Sequence, residues 1–251
     1  MAYRNDMDLE FLQNLESADL NDLVETLIYD KDGEKRYTEE LSESDGYKQY
    51  NPEHTKYWQD IAEELQRFGG NSFVNVLRLG EGVLYKEILM DVCDKLKVNY
   101  NKKSSAEKIE TNLLMKILED ALEKMSPDEL KELADSIGLK NTQGFTPQAM
   151  TGMFQAIFRA GGFKSYQLTL IIVNAILKAI LGRGLSLGAN AALTRTMAIL
   201  TGPIGWVITG LWTAIDIAGP AYRVTIPAVI EIAALRQKYL YADKVEDISF
   251  S

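Results

Sequence analysis

The chain has 251 residues, 46% of them apolar, and a formal charge of −9 from 27 basic and 36 acidic side chains. That length allows one large domain or two small ones, and the acidic balance argues against nucleic-acid binding by phosphate neutralisation. A single cysteine, Cys93, and a single histidine, His54, exclude an intramolecular disulfide framework, a Cys-cluster metal site and any two-histidine metal motif.

Met1 to Glu10 is charged and lacks the apolar core of a secretory signal. Asp8–Leu12 opens an amphipathic segment, and Leu20, Leu23, Leu27 and Ile28 follow as an i, i+3, i+7, i+8 stripe. Residues 31–53 are polar, with turn signals at Lys31-Asp32-Gly33 and Asp45-Gly46 and a break at Asn51-Pro52. Residues 1–45 therefore read as a short helical module followed by a linker. From His54 to Phe68 the helical pattern resumes, with Trp58, Ile61, Ala62 and Leu65 on one face. Gly69-Gly70 is expected to end that helix, since glycine adopts the left-handed C′ conformation freely.

Leu84, Ile88, Leu89, Val92 and Leu96 recur at helical spacing and predict a helix over residues 83–97. Ser104-Ser105-Ala106-Glu107 reads as a capping box. Ser126-Pro127-Asp128-Glu129 repeats the device with proline at the first helical position, and Thr146-Pro147 starts a third helix. No stretch alternates with period two between hairpin turns, and no fixed-period repeat is present. The expectation is an all-α, multi-helix protein: a helical module at 1–45, an acidic helical domain at 54–140, an apolar glycine-rich helical region at 141–240 and a polar tail at 241–251.

The mean charge describes neither half. Residues 1–140 hold 18 basic and 31 acidic side chains, a balance of −13, whereas residues 141–251 hold 9 and 5, a balance of +4. Thr196 to Ile215 is a run of 20 uncharged residues between Arg195 and Asp216, long enough to cross roughly 30 Å of hydrocarbon as a helix. Gly202-Pro203 interrupts it. Gly184, Gly188 and Ala192, and likewise Ala198 and Gly202, fall four apart and would place small residues on one helical face for close backbone approach. Arg159, Lys164, Lys178, Arg183 and Arg195 punctuate the apolar runs, a pattern suited to headgroup contact at a membrane surface. The same features also suit a buried hairpin in a soluble α-domain. Asp216 is the only acid between residues 141 and 230; with Arg223, two turns on, it is a candidate structural ion pair.

Little here carries chemistry. Gly182-Arg183-Gly184-Leu185-Ser186-Leu187-Gly188 departs from the dinucleotide fingerprint by one residue and has no P-loop lysine, so its glycines read as packing positions. His54 has no second histidine or cysteine partner, and Cys93 lies in an apolar helical pattern. No catalytic, metal or cofactor site is expected. The most distinctive polar stretch is the corner Gly69–Arg78, whose Asn71, Ser72, Asn75 and Arg78 are the candidates for recognising a partner.

The string Trp58-Gln59-Asp60-Ile61-Ala62-Glu63-Glu64-Leu65-Gln66-Arg67-Phe68-Gly69-Gly70-Asn71-Ser72 resembles the corresponding segment of the YaaW-like family of bacterial proteins. So do Tyr85–Lys97 and Gly219-Pro220-Ala221-Tyr222-Arg223-Val224-Thr225-Ile226-Pro227-Ala228-Val229, and Asp8–Leu12 is similar to that family's short N-terminal module. The family is grouped with the ubiquinol–cytochrome c chaperones, helical assembly factors acting on a membrane respiratory complex. The resemblance implies an all-α binding protein with no catalytic residues to carry over.

The leading expectation is a non-enzymatic helical binding protein, cytoplasmic or peripheral at the inner membrane. Its acidic part would recognise a protein partner, as yet unidentified, and its apolar part would dock on a membrane or membrane protein. The alternatives are a soluble chaperone with the C-terminal hairpin in its own core, and a membrane-disrupting stress or defence effector. No cofactor and no nucleic acid enter any of these readings.

Overall fold

A computed structural model describes residues 3–70, 82–137, 146–186, 191–219 and 221–241, and of 191–195 and 211–218 the backbone alone. Among the described residues the chain forms ten α-helices and no β-strand, only an isolated antiparallel bridge between Tyr29 and Lys35. The helices are α1 (Asn21–Ile28), α2 (Asp45–Tyr50), α3 (Trp58–Gly70), α4 (Tyr85–Lys95) and α5 (Ala106–Leu122). They continue with α6 (Pro127–Ser136), α7 (Pro147–Ala160), α8 (Gly162–Leu181), α9 (Ala191–Ala218) and α10 (Tyr222–Tyr241). The all-α expectation holds.

Side chains make the helix starts that the sequence announces. Ser126 Oγ accepts from Glu129 N at 3.3 Å while Glu129 Oε2 accepts from Ser126 N at 2.7 Å, so α6 opens on a closed capping box. Thr146 Oγ1 accepts from Ala149 N at the start of α7. At α5 the expectation needs correcting by one residue. The cap is Ser105, whose Oγ accepts from Lys108 N. Glu107 then falls at the second helical position, where it cannot fold back to the cap. Its carboxylate instead accepts from Gln237 Nε2 and Tyr241 Oη of α10.

As described, α3 ends on Gly69-Gly70, but both are helical and neither takes the left-handed cap conformation. Gly69 serves close approach: a Cβ there would lie 2.5 Å from Ile88 Cγ1 in α4. The polar stretch 31–53 is not a bare linker either. The Asp30 carboxylate accepts from the amides of Asp32 and Glu34 around Gly33, whose φ of +81° suits glycine. Leu41 is buried, and Arg67 of α3 reaches back to Thr38 O at 2.6 Å. Similarly, Gly184 lies in the turn after α8 and not on a helical face. A Cβ on it would meet Asn174 Oδ1, which accepts from Leu185 N. Gly182, at φ +73°, is the left-handed cap of α8. Gly188 lies outside the described residues.

Helix α10 is the axis. It is buried from Val224 through Gln237 and packs against α1, α3, α4, α5, α8 and α9. A helix apolar on all sides is stable only in an interior, and Val224, Ile226, Val229, Ile230, Ile232 and Leu235 fit that place. α8 and α9 pair along their lengths beside it. One apolar core runs from Leu9 to Leu235 and takes residues from each of the three compositional regions.

Gly69→Ala should therefore destabilise the chain by about 1–3 kcal/mol, through overpacking on Ile88. Gly202→Ala in α9, where nothing lies within 4 Å of the added Cβ, should stabilise it by roughly 0.5–1 kcal/mol. Urea midpoints of the two variants, at unchanged slope, check both signs.

Candidate functional site

Polar groups inside an apolar core must be matched, and α10 brings two buried charges, Arg236 and Glu231. Arg236 Nε donates to both carboxylate oxygens of Glu110 in α5, at 3.1 and 2.9 Å, and Arg236 Nη2 donates to Asp8 O at 2.8 Å. Its guanidinium also lies 4.5 Å from the centre of the Phe11 ring and 5.5 Å from that of Tyr85. Tyr85 Oη donates to Glu110 Oε1. Burial opposes the charge on Arg236, but the Glu110 carboxylate outweighs it and the guanidinium is held charged. Burial, reinforced by Glu110, pushes the Tyr85 phenol well up.

From this cluster a second chain of contacts leads to the N-terminus. Asp6 Oδ2 accepts from Tyr85 N at 2.6 Å, and Gln66 of α3 exchanges hydrogen bonds with the Arg4 backbone. Lys238 Nζ pairs with Asp19 at 2.5 Å.

Glu231, one and a half turns before Arg236, is the second. It accepts from Thr26 Oγ1 of α1 at 2.7 Å, while Oε2 has no hydrogen-bond partner among the described residues. Burial raises its pKa to about 8; the Thr26 hydroxyl offsets this and Asp22 adds to it. Asp22 in turn accepts from Ser186 N and Oγ at 2.7 and 2.8 Å. Arg183 Nη1 stands 2.5 Å from Glu25 and 3.8 Å from Asp22. The Gly182–Ser186 turn is thus tied to α1, and Arg183 is engaged inside the molecule. Arg159, Lys164 and Lys178 are exposed.

α9 divides the long apolar run between two environments. Met197, Leu200, Ile204, Val207 and Ile208 are buried. Ala198, Gly202, Thr209 and Gly210 face outward, and Trp206 is 59% exposed. Thr201 and Thr209 hydroxyls donate to Met197 O and Gly205 O, so neither leaves a bare donor on the helix. Proline at 203 cannot donate to Ile199 O. α8, the one helix among the described residues long and apolar enough to cross a membrane, is by contrast mostly covered, with 67% of its most apolar stretch buried.

Asn71, Ser72, Asn75 and Arg78 lie outside the described residues. The chain on either side of them is anchored, since Gly82 O accepts from Arg4 Nη1 and Val83 N donates to Gln66 O. The side chain of Asp216 also lies outside the described part, and Arg223 is exposed in the first turn of α10. His54 is buried beneath Tyr57 and Asn21: its Nε2 stands 2.7 Å from Asn21 Oδ1 and its Nδ1 meets Tyr57 Oη. Burial lowers its pKa, so the ring is neutral. Cys93 is buried, and the thiol is pushed up to about 12 by burial and by Asp94. A thiol held protonated is a poor nucleophile. The buried Glu110, Glu231 and Arg236 were not singled out from the sequence. For Glu231 and Arg236 the signal is a charge set within the apolar run of α10, which only a buried partner can stabilise; Glu110, among the other charges of α5, carries no such signal.

Residues 53–230 match the ubiquinol–cytochrome C chaperone family, and residues 3–37 match a separate domain of unknown function. The chain belongs to that chaperone family, in its YaaW-like branch. It is 58% identical over 244 residues to a UPF0174 protein of Helicobacter pylori strain J99, covering 97% of this chain and 96% of the relative. It is 35% identical over 240 residues to the UPF0174 protein YaaW of Escherichia coli K12, covering 94% and 95%. No solved structure matches the chain.

Arg236→Met leaves Glu110 buried without its cation and should cost about 3–5 kcal/mol in chemical denaturation. Glu231 gives a pH test. With a folded pKa of about 8 against an ordinary 4.5, the folded chain keeps a proton that the unfolded chain has released between those values. Its contribution to stability is therefore fully present below pH 4.5 and falls by about 1.4 kcal/mol per pH unit up to pH 8. Glu231→Gln should remove that slope in denaturation measured at pH 5, 6.5 and 8.

Proposed function

We propose that the protein is a non-enzymatic helical assembly factor that docks on a membrane or a membrane protein through the outward face of α9. The observation that carries this is a helix with no charge from Thr196 to Ile215 whose described outer side combines open glycines with an exposed tryptophan. Small residues let a second helix approach closely, and Trp206 supplies a large apolar anchor with a polar N–H, suited to a membrane interface. Membership of the chaperone family supports an assembly role. The engaged His54 and the protonated Cys93 support a non-catalytic one. The acidic part, with Asn71, Ser72, Asn75 and Arg78, is the surface for a protein partner, and the chain works in the cytoplasm at the inner membrane. A second reading, a soluble chaperone that touches no lipid, draws support from the burial of α8.

Purified full-length chain should float with phosphatidylcholine–phosphatidylglycerol vesicles in a density gradient. Trp206→Ala should lower the bound fraction roughly tenfold, as expected for one large apolar contact, with helicity unchanged. A chain that stays at the bottom of the gradient, monodisperse without detergent, rejects the lipid-docking version in favour of the soluble one.

A further inference from the structure

The last turn of α10 meets the N-terminal segment at a groove of about 410 Å³, within the ~300–1,000 Å³ of ligand-sized clefts. One wall is made by residues 7–14, part of the segment 3–37 that matches a domain of its own, and the other by the start of α5. Leu9 and Leu12 are buried and pin the first wall to the core. Phe11 forms the floor, its ring 5.7 Å from that of Tyr239 and 4.5 Å from the Arg236 guanidinium.

Apolar groups that folding leaves open gather here. Met7 is 85% and Tyr239 44% exposed, two of the five large exposed apolar side chains among the described residues, and both line this groove. Exposed apolar surface rimmed by polar groups marks an interaction site, and methionine adapts to varied apolar contacts. The rim is acidic. Asp8 and Glu10 have no ion-pair partner among the described residues, and the Glu107 carboxylate accepts from the neutral Gln237 and Tyr241. The nearby cations are engaged elsewhere: Lys238 pairs with Asp19 and Arg236 with Glu110, while Lys108 lines the separate groove between α5 and α7.

Arg236 supplies a donor. Its side chain is nine-tenths buried and lines the groove. Nε and Nη2 are bonded to Glu110 and to Asp8 O, whereas Nη1 has no hydrogen bond among the described residues and is free to donate into the groove. The three acids repel the phosphates of nucleic acid and anionic lipid, and a small polyamine would leave Met7 and Tyr239 without an apolar contact. A protein segment with lysine or arginine beside large apolar side chains complements the acids, the apolar anchors and the open donor together.

We propose that this groove binds a basic, amphipathic segment of a protein partner. The segment's apolar side chains lie on Met7, Phe11 and Tyr239, its cations pair with Asp8, Glu10 and Glu107, and one of its backbone carbonyls accepts from Arg236 Nη1. The Tyr239 ring gives a cation a second contact. The inference rests on the reading that the acidic part recognises a protein, and it is independent of α9 and of lipid.

The test titrates the full chain, at low salt and without lipid, with a short fluorescein-labelled amphipathic peptide of leucine and lysine. Binding should be saturable. It should weaken about tenfold or more in Asp8→Asn with Glu10→Gln, and likewise in Met7→Ser with Tyr239→Ser, at unchanged helicity. Should the second pair lose helicity, Met7→Ser alone takes its place. Glu123→Gln with Asp128→Asn, at exposed acids outside the groove, should leave the affinity unchanged. Absence of saturable binding overturns the proposal, as does equal binding of the same peptide with glutamate in place of lysine. Binding that the groove substitutions do not weaken, or that the Glu123 and Asp128 substitutions weaken as much, rejects this groove while leaving recognition of a protein by the acidic part intact. Displacement of the peptide by an equal concentration of spermine assigns the groove to small cations and also overturns it.

Discussion

The burial of one guanidinium organises this fold. Arg236 sits on the central helix with only 10% of its side chain exposed, and removing such a charge from water costs several kcal/mol. The cost is offset only if the carboxylate of Glu110, 126 positions away in sequence, and the carbonyl of Asp8, 228 positions away, arrive together. Tyr85 completes the ring of partners from α4. Four remote segments thus converge on one point, and a shift of any helix by one residue would leave a buried charge unmatched. The pair defines a register more than it adds net stability, since a well-packed apolar replacement can be as stable.

A second polar contact places the C-terminal hairpin. Glu231 binds α1 through Thr26, and α1 holds the turn after α8 through Asp22, Glu25, Ser186 and Arg183. α9, paired with α8, buries Leu200, Ile204 and Val207 against the core and faces outward along Gly202 and Trp206. Over its described side chains, Thr196–Gly210, the apolar run that by length resembles a membrane span is therefore part interior and part surface. The face proposed for docking thus belongs to a helix packed on the core and not to a loop. The engagement of Arg183 by acids of α1 shows that one of the basic residues punctuating this region is structural.

Local features of the sequence were read correctly where local physics is sufficient. The box at Ser126–Glu129 and the cap at Thr146 depend on atoms within one turn. The all-α class follows from helical periodicity repeated along the chain. Reading failed where a residue's meaning lies in a distant neighbour. Gly69 read only as a helix end because nothing in residues 58–70 reveals Ile88 beside it. Glu107 looked like a capping partner because its actual donors lie more than a hundred positions away, in α10. The polar stretch 31–53 looked like a linker, since its anchors, Leu41 and Arg67 with Thr38, become visible only once α3 is placed beneath it.

The same distinction governs the candidate site. Sequence alone determined the helical class, the family resemblance, the unequal charges of the two parts and the uncharged stretch of α9, because each is a property of residue order. Only the tertiary structure decided which face of that stretch is open, which cations are spent internally, and that α10 and not the glycine-rich hairpin is the buried axis. Burial is a property of the assembled chain: an apolar side chain prefers to leave water, but the preference does not name its neighbour. The neighbour is chosen by the few buried charges that tolerate no other partner.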